Sequence, residues 1–345
     1  MKPTKFLALG TALLALLLVQ SAAVAQDKPS FDAWLNELRQ EARAKGFKEE
    51  TLDLAFSEIE EPIPKVVSND RKQAEFVQTY DGYLSGRVSE WKRRVGREKM
   101  AEHRKSLQGI EAAYDIQPRF LVSIWGMETN FGTFPINQPL FNVLATLAYD
   151  PRRAKLFRAQ FFDALTILES GFPKYEDMKS SMAGAMGQSQ FLPENYLRYA
   201  VDFDGDGNRD IWNSPADSLA STANYFRSVG WSSDETWGRK VKLPPNLDQD
   251  SAADPAEGLT PDPRCQRYRS LGVWRDLQEW QAMGVRQING ADLPKRSIPA
   301  ALIPADEGDG QGYIVYRNFC TIMRFNPAFK YALSIGLLSD ELKGE

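Results

Sequence analysis

Histidine is nearly missing from this chain of 345 residues, which carries only His103. A zinc site built on several histidines is therefore excluded, and so is a Ser-His-Asp arrangement on any second histidine. His103 itself lies in a charged helical stretch that reads as solvated surface. Cysteine is almost as scarce, with Cys265 and Cys320 alone. Two readings stay open for them, a disulfide or two buried thiols. If they pair, the closed loop adds roughly 4 kcal/mol in the chain-entropy model. Runs of basic residues are also lacking. The balance is 42 − 46 = −4, and 40 − 46 = −6 once Lys2 and Lys5 are set aside with residues 1–25. A mildly acidic chain of this kind argues against nucleic acid as the partner. Beyond residue 25 no segment is long and apolar enough to span a bilayer.

The first 25 residues have the layout of a cleavable signal peptide. Lys2 and Lys5 precede an apolar run over residues 7–19, and Ala23-Val24-Ala25 forms a small-residue cleavage site before Gln26. The run is short for a membrane anchor, and no cysteine near it offers a lipid attachment site. Export to the periplasm is the expectation. Over the whole chain, 43% hydrophobic and 26% charged residues are ordinary for a globular protein with a substantial core.

Spacing divides the mature chain into a mainly α fold with a small β-rich insertion. Residues 26–114 read as an N-terminal helical domain. Ser30 is a good N-cap ahead of Phe31, Trp34, Leu35 and Leu38 at helical spacing. Leu52, Ala55, Phe56 and Ile59 repeat the pattern, Pro62 and Pro64 break it, and Phe76, Tyr80, Tyr83 and Leu84 open another helix. Residues 115–237 form a denser, aromatic helical core. Residues 238–321 read as the β-rich insertion, with strands at 241–243 and 313–316 and a helix over 274–283. Residues 322–345 return to helical spacing, with a helix expected over 325–338.

One carboxylate is distinctive. Pro118 suits the first turn of a helix, and Leu121, Ile124 and Trp125 share a face that Glu128 continues before Gly132 ends the helix. Partial burial raises the pKa of such a carboxyl, and the negative end of the helix pushes the same way. A glutamic acid kept protonated can protonate a leaving oxygen. The same pattern also fits a solvated glutamate at a helix end.

A second cluster is more specific. Asp202, Asp204 and Asp206 occupy the first, third and fifth positions of an EF-hand-like loop, with Gly207 at the sixth and Asn208 offering its carbonyl at the seventh. The twelfth position is Asn213 rather than glutamate, and Asp217 is the natural substitute. Carboxylates this close repel unless neutralised, so a structural Ca2+ is expected.

These pieces follow one another in order. Ser123-Ile-Trp-Gly-Met-Glu128-Thr-Asn-Phe-Gly132 is followed by Asp150-Pro-Arg152-Arg153 and by Ser181-Met-Ala-Gly-Ala-Met-Gly-Gln-Ser-Gln190-Phe-Leu-Pro193. The acidic loop and Ala223-Asn-Tyr225-Phe come next. Together they resemble the membrane-bound lytic murein transglycosylase B family over nearly the whole mature chain, most strongly over residues 115–231. The resemblance implies a lysozyme-like core with an EF-hand-like calcium site. It implies Glu128 as the single catalytic acid, and Tyr83, Arg152, Arg153, Ser181, Gln190, Tyr225, Asn326 and Tyr331 as substrate-binding residues. Phe325 departs from the family's tyrosine, which keeps a ring and removes a hydroxyl. The implied calcium ligands are Asp202, Asp204, Asp206, Asn208 and Asp217.

The implied activity is cleavage of the β-1,4 bond between N-acetylmuramic acid and N-acetylglucosamine in peptidoglycan, closing a 1,6-anhydro ring. Peptidoglycan strands are the expected partner, wall-synthesis proteins a further class, and a monomer the expected state. A lysozyme-type hydrolase using the same glutamate and a non-catalytic, calcium-stabilised wall-binding module are the rival readings. Glycosidases ordinarily use two carboxylates, and no second carboxylate motif stands out beside Glu128. Asp150 and Asp163 are available by residue type alone.

Overall fold

Side-chain caps start many of the helices where the sequence places them. The computed structural model describes residues 29–70, 79–245, 247, 259–268, 271–305 and 310–343. The expected leader (1–25) and Phe76 as a helix start lie outside the described residues. Ser30 accepts from the Ala33 amide at 3.3 Å and opens α1 (Phe31–Ala44). Helix α2 (Glu49–Phe56) follows, and α3 (Pro64–Asp70) begins on the proline that separates the two. Thr79 caps α4 (Tyr80–Arg87), and Ser89 caps α5 (Glu90–Glu102). Helix α6 (Arg104–Tyr114) ends at Asp115, which takes a left-handed conformation. His103, between α5 and α6, corrects the surface expectation. It is half-buried, with its ring edge-on to Trp125 at 5.4 Å.

Helix α7 (Pro118–Thr129) is buried along almost its whole length. A bridge of two short strands, β1 (Gln138–Pro139) and β2 (Lys179–Ser180), brackets α8 (Leu140–Tyr149) and α9 (Ala154–Glu169), which pack on each other. Phe141, Phe157 and Phe161 fill their interface, each contributing about 1.5–3 kcal/mol of burial. Helices α10 (Pro193–Tyr199) and α11 (Pro215–Ser228) complete this part, both opening on proline.

The strands that follow form one antiparallel sheet. Their spatial order is β4 (Trp274–Asp276), β6 (Pro299–Pro304), β7 (Gln311–Val315), β3 (Gly238–Lys242) and β5 (Arg286–Gln287). The helix expected from Trp274 starts later, as α12 (Leu277–Ala282). Asp276 accepts from the Gln278 amide and caps it, which leaves Trp274 in the sheet. Val241, Leu277, Trp280, Val285, Ile314 and Tyr316 make a small separate core there. The helix expected over 325–338 is two helices, α13 (Arg317–Phe325) and α14 (Phe329–Glu341). Asn326 is extended between them, as a residue before proline prefers.

Two links tie sheet to helices. Cys265 and Cys320 form a disulfide, joining the 259–268 segment to α13. Trp237, fully buried at the entry to β3, lies against α14 and donates to Asp340 Oδ2 at 3.1 Å. Gly336 makes that approach possible, because a β-carbon there would sit 2.2 Å from the indole. Gly336→Ala should therefore cost about 1–3 kcal/mol in chemical denaturation, the usual cost of overpacking. An unchanged midpoint would show that the indole is free to move aside.

Candidate active site

The face of α7 is built as its spacing requires. Leu121, Ile124 and Trp125 are buried, and Glu128 continues the stripe as a half-buried carboxyl. The helix ends earlier than the sequence suggests. Asn130 and Phe131 both take left-handed conformations ahead of Gly132, and their amides both donate to the Trp125 carbonyl. Across from Glu128 lies α14, whose Tyr331 donates its hydroxyl to Glu128 Oε1. Burial pushes the Tyr331 phenol well above its ordinary range, and the Glu128 charge adds to this. Tyr331 therefore stays a proton-bearing donor. The nearby phenols of Tyr83 and Tyr225 act on it in the same direction, so one neighbourhood holds the acid and three tyrosines.

Each implied substrate residue also has an internal partner. Tyr83 is buried beneath the Arg87 guanidinium, 5.2 Å from its ring. Tyr225 donates to the Arg324 carbonyl at 2.8 Å, and its ring meets Phe325 edge-on. Phe325, the departure from the family pattern, stacks on Phe226. Asn326 Oδ1 accepts from the Ala328 amide at 3.1 Å and shapes the α13–α14 corner. Gln190 is left-handed and donates to the carbonyls of Ala185 and Gly187. Ser181 Oγ accepts from the Ala183 amide at 3.4 Å.

Arg152 and Arg153 stand together on one carboxylate, Asp70 at the end of α3, with Arg153 at 2.9 Å. Burial pushes the Arg153 guanidinium below its ordinary range. A cavity of about 500 Å³ opens beside them, lined by Lys65, Asn69, Asp70, Phe134, Ser181 and Met182 among others. Glu128 does not line it. The link is the loop after α7, where the Phe134 amide donates to the Thr129 carbonyl at 2.8 Å. The implied residues thus fall into two adjoining groups, an acid–tyrosine cluster and an arginine–serine group around the cavity.

Three residues were missed by sequence reasoning. Asp70 ends a short helix in a region read only for its apolar spacing. Lys92 sits inside a charged stretch, yet it is buried and donates to the Gly126 carbonyl at 2.7 Å. Gln188 lies within a quoted motif but was given no role. It accepts from Trp125 Nε1 at 2.9 Å and donates to the Trp212 carbonyl at 2.9 Å, while its own carbonyl accepts from Thr129 Oγ1. It stitches the end of the acid's helix to the segment that follows the aspartate loop.

In that loop, oxygens of Asp202, Asp204 and Asp217 lie within 4.8 Å of one another. Asp217, fully buried in the first turn of α11, accepts from the amides of Phe203, Asp204 and Asp210. Burial pushes its pKa up, and these amides oppose the shift. Asp202 accepts from Gly205 and Gly207, the latter at a positive φ of 94° that the turn requires. Asp206 accepts from the Asn208 amide and stands apart from the close trio. The converging oxygens and the buried Asp217 suit a hard cation such as Ca2+.

The description of the transglycosylase SLT domain (SLT_2) matches residues 30–340. The chain belongs to this family. Membrane-bound lytic murein transglycosylase B of Escherichia coli is 31% identical over 68% of this chain. The chain spans 59% of that relative's length. SltB3 of Pseudomonas aeruginosa, solved in complex with NAG-anhNAM-pentapeptide, shares 40% identity at a TM-score of 0.81, covering 91% of this chain and 80% of its own. The Escherichia coli lytic transglycosylase Slt35, solved in complex with calcium, is alike in fold at 24% identity and a TM-score of 0.71, over 92% of this chain and 93% of its own. The mainly helical SLT-domain fold with a small sheet is therefore as the sequence led us to expect. Among the described residues no helix is long and apolar enough to cross a membrane.

Replacing Gln188 by Leu in this SLT-domain chain would leave Trp125 Nε1 and the Trp212 carbonyl without their partner. A loss of about 1–3 kcal/mol per orphaned group is expected in equilibrium unfolding. Wild-type stability in that variant would mean that water replaces the amide.

Proposed function

We propose that this protein is an exported peptidoglycan lytic transglycosylase in which Glu128 is the single acid–base group. The observation that carries the reading is the half-buried Glu128 carboxyl held by the Tyr331 hydroxyl from a distant helix. A fixed, partly desolvated carboxyl is what general acid catalysis requires. Membership of the SLT-domain family supports the same chemistry.

Glu128 protonates the oxygen between N-acetylmuramic acid and N-acetylglucosamine, and the bond from that oxygen to the muramic anomeric carbon breaks. The muramic acetamido oxygen stabilises the cation that develops. Glu128, now ionised, takes the proton of the same sugar's C6 hydroxyl, whose oxygen bonds to the anomeric carbon and closes the 1,6-anhydro ring. The proton lost in the first step is recovered in the second, and no water enters. An intramolecular attack of this kind gains a high effective concentration. Tyr83, Tyr225 and Tyr331 line the approach to the acid, and Ser181, Gln190 and Asn326 orient the acetamido group and ring. Arg152 and Arg153, held by Asp70 beside the cavity, meet the lactyl or peptide carboxylates. The protein acts as a monomer in the periplasm, delivered by the cleavable leader at residues 1–25.

Glu128→Gln should lower release of fragments from purified sacculi by at least about 100-fold while sacculus binding and melting stay near wild type. Mass spectrometry of the wild-type products should show muropeptides lighter by one water than hydrolysis gives. Fully hydrated products would identify a lysozyme-type hydrolase, and binding without any cleavage a wall-binding module.

Asp202, Asp204, Asp206, Asn208 and Asp217 hold a structural Ca2+ in this reading. Close carboxylates repel by about 1 kcal/mol in water and more where solvent is scarce, and a divalent ion relieves this. At a hundredfold excess over its Kd the ion adds about 2.7 kcal/mol. Chelation should thus lower the melting temperature by several degrees, calcium should restore it, and Asp217→Asn should lose the response. Melting indifferent to both additions would remove the cation from the account.

A further inference from the structure

The sequence leads one to expect an unrelieved negative helix end beside Glu128, yet the structure puts a cation there. Asn130 and Phe131 turn their amides to the Trp125 carbonyl. The next carbonyl, that of Gly126, receives the ammonium of Lys92 at 2.7 Å, with the Met127 thioether 3.8 Å away. Lys92 is only 6% exposed. Its Nζ contacts a neutral carbonyl and a neutral sulfur, which is costly for a buried charge without a reason. Glu128 follows Gly126 by two residues, close enough for its charge to act on Lys92.

We propose that Lys92 is a positioning residue for proton transfer at Glu128. Its ammonium closes the end of the acid's helix and supplies the positive charge against which the carboxylate forms. This rests on the reading of Glu128 as the acid. When Glu128 gives up its proton, a negative charge appears beside carbonyls that already carry partial negative charge. A cation on the last turn offsets both, so Glu128 gives up its proton to the leaving oxygen more readily. Lys92 touches no residue implied in sugar binding through its ammonium, so its effect falls on the chemical step.

The charges facing Lys92 come from several elements. Arg87 at the end of α4 repels it, and Glu128 on α7 attracts it. The phenol of Tyr331 on α14 donates to Glu128 and is held in its protonated form by burial, and Tyr83 on α4 stands near that phenol. Burial first, then Arg87, pushes Lys92 down to about 8, with Glu128 opposing. The charge is therefore present at neutral pH and is lost as pH rises through about 8.

Lys92→Met should lower kcat about tenfold, with KM little changed. The alkaline limb of its kcat–pH profile, where Glu128 loses the proton it must donate, should move to higher pH, because the carboxylate has lost its support. Lys92→Arg should restore kcat and the position of that limb in part. A Lys92→Met enzyme with wild-type kcat and an unmoved alkaline limb would overturn the proposal. A second measurement does not depend on that variant folding. The Lys92 ammonium titration, followed by nitrogen NMR, should fall to lower pH in Glu128→Gln than in wild type. Equal midpoints in an inactive Glu128→Gln end this proposal alone, whereas a Glu128→Gln enzyme that still cleaves ends the reading of Glu128 and this proposal with it.

Discussion

The hydroxyl of Tyr331 reaches Glu128 only because α14 lies along α7, and much of the fold serves that apposition. Helix α7 is buried on nearly all sides, by α5, α11 and α14. Helix α14 is held in turn by Trp237, which docks where Gly336 has no side chain and donates to Asp340. The entry to the five-stranded sheet is thus coupled to the helix that carries Tyr331. A packing error of a few tenths of an ångström at Gly336 would be passed on to the hydroxyl, since close-packed helices move as rigid units.

A second line of support runs through polar groups. Gln188 joins Trp125 and Thr129, on either side of Glu128, to the segment following the aspartate loop. Asp217 anchors that loop to the first turn of α11 through three backbone amides. Loop, glutamine and acid helix form one connected scaffold, so order at the aspartates and order at Glu128 are mechanically related. This gives the acidic loop a physical bearing on the site without any contact to the reacting atoms.

Much of the helical framework was legible in the sequence because it depends on local signals. Ser30, Pro118 and the stripe ending at Glu128 need only neighbouring residues to be read. The later elements were harder. Trp274 looks helical by spacing, but Asp276 caps the helix two residues further on, and a cap is easily overlooked inside an apolar run. Asn326 and Pro327 divide what spacing alone reads as one helix. At the site, residue types were readable while their partners were not. Nothing local signals that Arg152 and Arg153 share Asp70, that Lys92 is buried within a charged stretch, or that His103 packs on Trp125, because each of these is decided by contacts across the chain. The pairing of Cys265 with Cys320 was left open by the sequence for the same reason.

Glu128 and Tyr331 are separated by 203 positions in the chain. A polypeptide made from its N-terminus thus presents the acid early and the phenol that fixes it very late, after both Cys265 and Cys320. Until α14 arrives, the carboxyl lacks the hydroxyl that holds it. The hydroxyl that fixes Glu128 is thus added only when the last helix docks, however early the rest of the site has folded.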